Sequence, residues 1–154
     1  MQQTWEGGHR EPGLAVWPAK IKAGRRSAAT VSTLDILPTL AALAGMELPP
    51  NRVFDGQDLS SILFDNADLL PSAQRPGGAL FHPNSGGEGT IGELQTARIG
   101  DLKARWLTGG SAVDCARATA PEVHHDPPLI FDVVRDPAES SPLNASDDRY
   151  TTAL

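Results

Sequence analysis

Apolar and polar residues change rhythm several times along the chain, and each change marks an element. After a polar, glycine-containing opening (Glu6-Gly7-Gly8-His9-Arg10-Glu11-Pro12), residues Leu14-Ala15-Val16-Trp17 are apolar at every position and closed by Pro18. An all-apolar run of this length predicts a strand buried on both faces, which needs sheet neighbours. A basic loop, Lys20 to Arg26, leads to the clearest helix, Ser32 to Gly45. Ser32 or Asp35 can accept from the free N–H groups at its start, and Gly45 can close it in the left-handed conformation. With Asp35 as the cap, Pro38 falls in the first turn, where a missing N–H costs nothing. Leu34, Leu37, Leu40, Ala41 and Ala44 fall on one helical stripe.

Beyond Pro49-Pro50 the elements shorten. Asp58 to Phe64 predicts one small capped helix, residues 65–78 a loop, and Ala79-Leu80-Phe81 a short strand. Gly86 to Gly92 reads as a mobile loop. Gln95–Ile99 and Leu102–Thr108, joined through Gly100-Asp101, predict a hairpin, and Leu129–Val133 a further strand. The tail from Asp136-Pro137 onward is polar and is expected to be weakly structured. Residues 46–135 thus sketch a small antiparallel sheet with one short helix. Residues 1–45 sketch the last strand and helix of something larger.

Composition narrows the function classes. The 154 residues carry 13 Lys and Arg against 19 Asp and Glu, a net charge of −6, and only Lys20, Lys22 and Lys103 are lysines. That balance excludes a nucleic-acid partner, which needs a basic face. No apolar run approaches the roughly 18 residues of a membrane span. The first ten residues also lack the hydrophobic stretch of a secretory leader. Cys115 is the single cysteine, so no internal disulfide forms, and in an oxidising compartment it would need a partner elsewhere. Asn144-Ala145-Ser146 matches the short glycosylation acceptor pattern.

Candidate chemistry is sparse. His9, His82, His124 and His125 occur without H-E-x-x-H and without paired cysteines, so no zinc site is expected. His124-His125-Asp126 sets two imidazoles beside a carboxylate, but neighbours on an extended chain point to opposite sides. The glycines at 86, 87, 89 and 92 lack the lysine of a phosphate loop, no serine sits in G-x-S-x-G, and Cys115 has only Arg117 as a local basic neighbour. Glu6 and Arg10, four apart across Gly7-Gly8, read as a structural ion pair fixing the loop. No nucleophile with its base is visible.

Five segments nevertheless resemble the sulfatase family, its arylsulfatase A and N-acetylgalactosamine-6-sulfatase branches above all. They are Thr4 to Pro18 (an aromatic-E-G-G-x-R-E-P-x-x-A-x-W-P pattern), Ser32 to Gly45, Asp55-Gly56-Gln57-Asp58-Leu59, His125 to Asp132 and Arg135-Asp136-Pro137-Ala138-Glu139. They stand in the family's order over most of residues 4–143. The resemblance implies an α/β fold: residues 1–45 as the truncated tail of the sulfatase (alkaline-phosphatase-like) catalytic domain, and 46–154 as its small antiparallel sheet with a short helix. It implies hydrolysis of sulfate esters by a hydrated formylglycine made from the cysteine of C-x-P-S-R, with a calcium ion polarising the sulfate.

This chain holds no C-x-P-S-R, and Cys115 is followed by Ala116-Arg117. No catalytic residue, metal ligand or cofactor is therefore expected in it, and the resemblance implies a catalytically inactive C-terminal fragment of an arylsulfatase-type hydrolase that misses an N-terminal domain. The family's sulfate-binding lysine lies four residues before the aromatic at Trp5, a place taken here by Met1. A family cysteine two residues before that lysine pairs with one in a later loop, the place Cys115 would take. By the same resemblance His125 is a substrate-contacting residue at the mouth of the site, and Glu6, Gly7, Gly8 and Arg10 shape the loop beside the lysine. A full-length member would be secreted, lysosomal or periplasmic. Two rivals remain: a non-catalytic binding module derived from a sulfatase, and a relative cleaving phosphate or phosphonate esters, which the arylsulfatase-like motifs disfavour.

Overall fold

The computed structural model describes residues 4–64, 78–84, 90–109 and 121–153. It divides into two compact units, one of residues 12–78 and the other of residues 1–11 with 79–154. The expected loop over 65–78, the glycines at 86, 87 and 89, and Cys115 lie wholly or almost wholly outside the described residues.

In the sheet unit, β1 (Ala79–Pro83), β2 (Leu94–Ile99), β3 (Leu102–Thr108) and β4 (Val123–Asp132) form one antiparallel sheet in sequence order. The hairpin between β2 and β3 turns through Gly100-Asp101 as expected. Gly100 takes φ of 55°, which a residue without Cβ adopts at no steric cost. The final strand starts well before Leu129, at Val123, because Leu107 and Thr108 of β3 pair with His124 and Val123 beyond a shift in register. Ile130, Phe131 and Val133 are buried and form the apolar core together with Ala79, Ala97 and Leu107.

The facing of β3 is the reverse of what its apolar residues suggest. Lys103, Arg105 and Leu107 are buried, whereas Leu102, Ala104 and Trp106 are half-buried. Two cations therefore occupy core-facing positions and need partners.

The tail is more ordered than its polarity suggests. Its loops are held by side chains: Asp132 Oδ1 accepts from the Val134 and Arg135 N–H groups, Asp136 binds Ser140 and Ser141, and Asn144 binds Ser146. The backbone joins in where Leu143 N–H donates to Ile130 O at 2.7 Å. The chain then forms a last helix, Asp148–Ala153. Short polar residues do here, by local hydrogen bonds, what apolar burial does elsewhere.

In the other unit, the expected helix forms as a 3-10 turn (Thr33–Asp35) running into α2 (Ile36–Leu43). Ser32 and Asp35 make a capping box, with Ser32 N–H donating to Asp35 Oδ2 at 2.7 Å, and Gly45 closes the helix at φ of 66°. Pro38 sits in the first turn of α2. The buried face, however, is Asp35, Pro38, Thr39 and Ala41, while Leu34, Leu37 and Leu40 are exposed. The leucine stripe is real in sequence, but among the described residues its leucines stay exposed.

The Asp55-Gly56-Gln57 segment explains the buried side. Gln57 N–H donates to Asp35 Oδ1 at 2.8 Å, and Thr39 Oγ1 donates to Asp35 O and accepts from Leu59 N–H. Gly56 lies so close that a Cβ there would sit 1.9 Å from Leu34 O. The short helix Ser60–Phe64 follows, with Asp58 Oδ1 accepting from Ser60 N–H at 2.9 Å.

Leu14–Trp17 corrects the strand expectation, for it is irregular and exposed, with Leu14 92% accessible. A strand is made by its ladder partners, and none is present among the described residues of this unit. Trp17 instead meets Phe64 edge-on at 6.0 Å.

Candidate functional site

The opening loop is built on a single helical turn, α1 (Glu6–His9), closed by Arg10 N–H donating to Glu6 O at 2.7 Å. Neither glycine in it takes a positive φ, and a Cβ at Gly7 would meet nothing within 4 Å. Gly7 is thus not demanded by steric need among the described residues.

Glu6 anchors the turn, but not through Arg10 as the four-residue spacing suggests. Its Oε1 accepts from Lys103 Nζ at 3.0 Å and its Oε2 from Arg98 Nη1 at 3.1 Å. The exposed Arg10 donates instead to Val133 O at 3.4 Å. The i,i+4 pairing presumes a longer helix; here one turn aims Glu6 down onto the sheet.

A second carboxylate completes the arrangement. Glu139 Oε2 accepts from the Glu6 backbone N–H at 2.5 Å, while its Oε1 lies 3.1 Å from Lys103 Nζ and 3.5 Å from Arg105 Nη1. The last two are contacts of charge, without the alignment of hydrogen bonds: Glu139 Oε1 and Arg105 Nη1 have no directional partner. Glu139 takes φ of 51°, unusual for a side-chain-bearing residue. Arg105 also stacks on Trp5, its guanidinium carbon 3.5 Å from the ring centroid, and Trp5 meets Phe131 edge-on at 6.2 Å. Burial pushes the Arg105 guanidinium below its ordinary value, with Glu139 opposing. Among the described residues, three cations face two carboxylates in the cluster beneath the loop, an excess of positive charge.

His9, at the end of the turn, meets His82 of β1 edge-on, with ring centres 4.3 Å apart. Burial lowers the His82 imidazole from 6.5 to about 4; His9, Lys103 and Arg98 add to this and Glu6 opposes it. His82 is therefore neutral near pH 7.

The histidine pair of β4 separates as an extended strand requires. His125 is half-buried, its Nε2 2.8 Å from Thr108 Oγ1, while exposed His124 lies with Nδ1 3.5 Å from Glu93 Oε1. Among the described residues no group of three or more His, Cys, Asp or Glu is placed to hold a metal ion. No described helix is long and apolar enough to cross a membrane.

The clamp residues Lys103, Arg105 and Glu139 escape a reading of sequence for catalytic motifs, since no motif joins them. The one signal was two cations at alternate positions of a predicted strand, where burial of one face demands counter-charges.

Comparison with known proteins gives this arrangement a context. Residues 75–154 match the family model described as the C-terminal region of aryl-sulfatase. Arylsulfatase G of Rattus norvegicus is 48% identical over 153 residues, and that of Homo sapiens 46% identical over 154 residues. Each match covers 99% of this chain and 28% of the relative. Arylsulfatase A of Bos taurus is 40% identical over 94% of this chain and 28% of its own length. Among solved structures, the PsFucS1 sulfatase from Pseudoalteromonas matches with a TM-score of 0.65 at 22% identity, over 90% of this chain and 26% of that one. The chain thus spans about 28% of the length of these curated relatives, and it belongs to the sulfatase family, within the C-terminal region of its aryl-sulfatases.

Proposed function

We propose that this chain is the C-terminal portion of an enzyme that hydrolyses sulfate esters, an arylsulfatase-type hydrolase, and that it is inactive alone. Residues 1–45 then end the catalytic domain and residues 46–154 form the small-sheet domain. The observation that carries the reading is the clamp on the opening loop: the E-G-G-x-R-E-P segment is fixed by two buried carboxylates and Lys103. A loop held so firmly is suited to placing neighbouring groups to within a fraction of an ångström, as a catalytic site demands.

In this reading Glu6, Gly7, Gly8 and Arg10 support the site and His125 contacts the substrate, its ring oriented by Thr108. The excess positive charge under the loop favours an anionic ester nearby. Calcium and formylglycine, which the family implies, do not fit the residues here, since the described part holds no metal-ligand cluster and the sequence no C-x-P-S-R. Both would be supplied from outside these 154 residues.

The test joins this chain to the upstream portion of rat arylsulfatase G and measures hydrolysis of an aryl sulfate and an aryl phosphate. Preferential sulfate release by the joined protein and none by the chain alone is expected, with His125→Ala lowering kcat/KM. Turnover by the isolated chain, or a preference for phosphate, would overturn the proposal. The rival, a non-catalytic binding module, would be favoured by a folded joined protein that releases neither.

A further inference from the structure

The Asn144-Ala145-Ser146 acceptor pattern for N-linked glycosylation has no part in the site described above. Asn51, Asn66 and Asn84 lack Ser or Thr two residues on, so Asn144 heads the one such pattern in the sequence. Neither Ala145 nor Asp147 is a proline, which would spoil the acceptor. Three-residue patterns also arise by chance, and burial or a regular element leaves many of them unusable. Where the fold puts Asn144, and what it asks of that side chain, decides the matter.

Asn144, Ala145 and Ser146 are all exposed and lie outside helix and strand. Fixed points bracket them. Leu143 N–H donates to Ile130 O at 2.7 Å, and Asp147 N–H donates to Asn144 O at 2.9 Å just before the closing helix Asp148–Ala153. The three residues are therefore a surface turn held at a set place on the sheet unit. Within it, Asn144 Oδ1 accepts from Ser146 N–H and from the Ser146 hydroxyl, both at 3.1 Å. That task needs only the oxygen, which an aspartate would supply as well. The amide nitrogen, Nδ2, makes no hydrogen bond among the described residues. The fold thus uses half of the side-chain amide and leaves unengaged the half that glycosyl transfer needs.

We propose that Asn144 is an N-glycosylation site, taking an oligosaccharide on Nδ2 from a lipid-linked oligosaccharide diphosphate when the chain is translocated into a secretory compartment. The bond from Nδ2 to the anomeric carbon forms as Nδ2 gives up one proton. The bond from that carbon to the diphosphate oxygen breaks, and the lipid diphosphate leaves with the electron pair. Oδ1 keeps both of its donors, so the turn stays as it is once Nδ2 is substituted. The added group is bulky and solvated, and it keeps the segment between β4 and the closing helix out of protein contacts. The proposal rests on neither the hydrolytic reading nor the family assignment.

The test translates the full 154-residue chain behind a cleavable secretory leader in the presence of microsomes. A protease-protected product carrying one glycan is expected, its mobility shift removed by peptide N-glycosidase. Release converts the modified residue to aspartate, which mass spectrometry should locate at position 144. The shift should vanish in Asn144→Gln and in Ser146→Ala and survive in Asn51→Gln, which touches no acceptor pattern. A protected but unshifted chain would overturn the proposal, as would a shift that persists in N144Q. Hydrogen exchange at the Leu143 amide, compared before and after N-glycosidase on chain secreted from yeast, asks whether the folded turn carries the sugar. Equal protection is expected. Protection regained only after removal would overturn the proposal, because the glycan and the turn would then exclude each other.

Discussion

Lys103 and Glu139 meet beneath the opening loop, Nζ to Oε1 at 3.1 Å, with each side chain only 1% accessible. Both charges are out of water, so each depends on the other, and Glu6 on the far side of the ammonium depends on both.

Glu139→Gln is therefore expected to destabilise the sheet unit by about 3–5 kcal/mol, the cost of leaving a buried charge without its partner. Arg105 would lose its anion in the same step. The double variant Glu139→Gln/Arg105→Met should recover part of the loss, because it also removes the buried guanidinium that Glu139 faces. Urea denaturation followed by tryptophan fluorescence compares both variants with the unsubstituted chain. A single-variant cost below about 1 kcal/mol would mean that the pair is not buried as described.

Acid should weaken the sheet unit through His82. Its folded value of about 4 lies below the ordinary 6.5, so the unfolded chain binds the proton first. Stability from this residue is fully present above pH 6.5 and falls away as the pH drops towards 4. His82→Asn should flatten that part of the stability profile. The imidazole shifts of His82, followed by NMR, should titrate near 4, and a midpoint near 6.5 would refute the burial argument.

Much of this architecture can be read from residues, and the exceptions share a cause. The Ser32/Asp35 cap, the Gly45 stop and the Gly100-Asp101 turn are local, decided within a few residues, and the structure has them where the chain signals them. The small sheet follows from short alternating runs. What local pattern cannot show is which partner a charge or an apolar face meets. Glu6 is four residues from Arg10 but binds Lys103 and Arg98, roughly ninety positions away in the chain. Leu14–Trp17 has strand composition without a ladder. The order of the polar tail rests on side-chain hydrogen bonds and on Arg149, which hydropathy does not register. The candidate site was visible only as a resemblance around Glu6 to Arg10 and His125, and its supporting clamp is a product of the fold.

Gly56 is expected to tolerate no side chain. Its φ is not positive, so the constraint is steric: a Cβ would lie 1.9 Å from Leu34 O and 2.4 Å from Leu34 C. Backbone cannot swing aside as a side-chain tip can, and Gly56→Ala should cost about 1–3 kcal/mol or more. The displaced segment would also take Gln57 N–H off Asp35 Oδ1. Faster hydrogen exchange at the amides of Ser32 and Gln57 checks it, and unchanged protection would contradict the packing.

The closing helix gives the last test. Asp132 Oδ2 accepts from Arg149 Nη1, while its Oδ1 holds the turn after β4 through the Val134 and Arg135 N–H groups. These bonds, those from the backbone first, hold the Asp132 carboxyl below its ordinary value. Arg149 is tied to Asp147 as well, which lowers Asp147 to about 2. Arg149→Ala should thus free residues 148–153 while leaving the turn intact. Asp132→Ala should release both and cost more, because it removes acceptors for two backbone donors. Limited proteolysis separates the two: cleavage within 148–153 is expected in R149A, and additional cleavage at 133–136 only in D132A. Equal cutting patterns would show that the helix and the turn are not joined through Asp132.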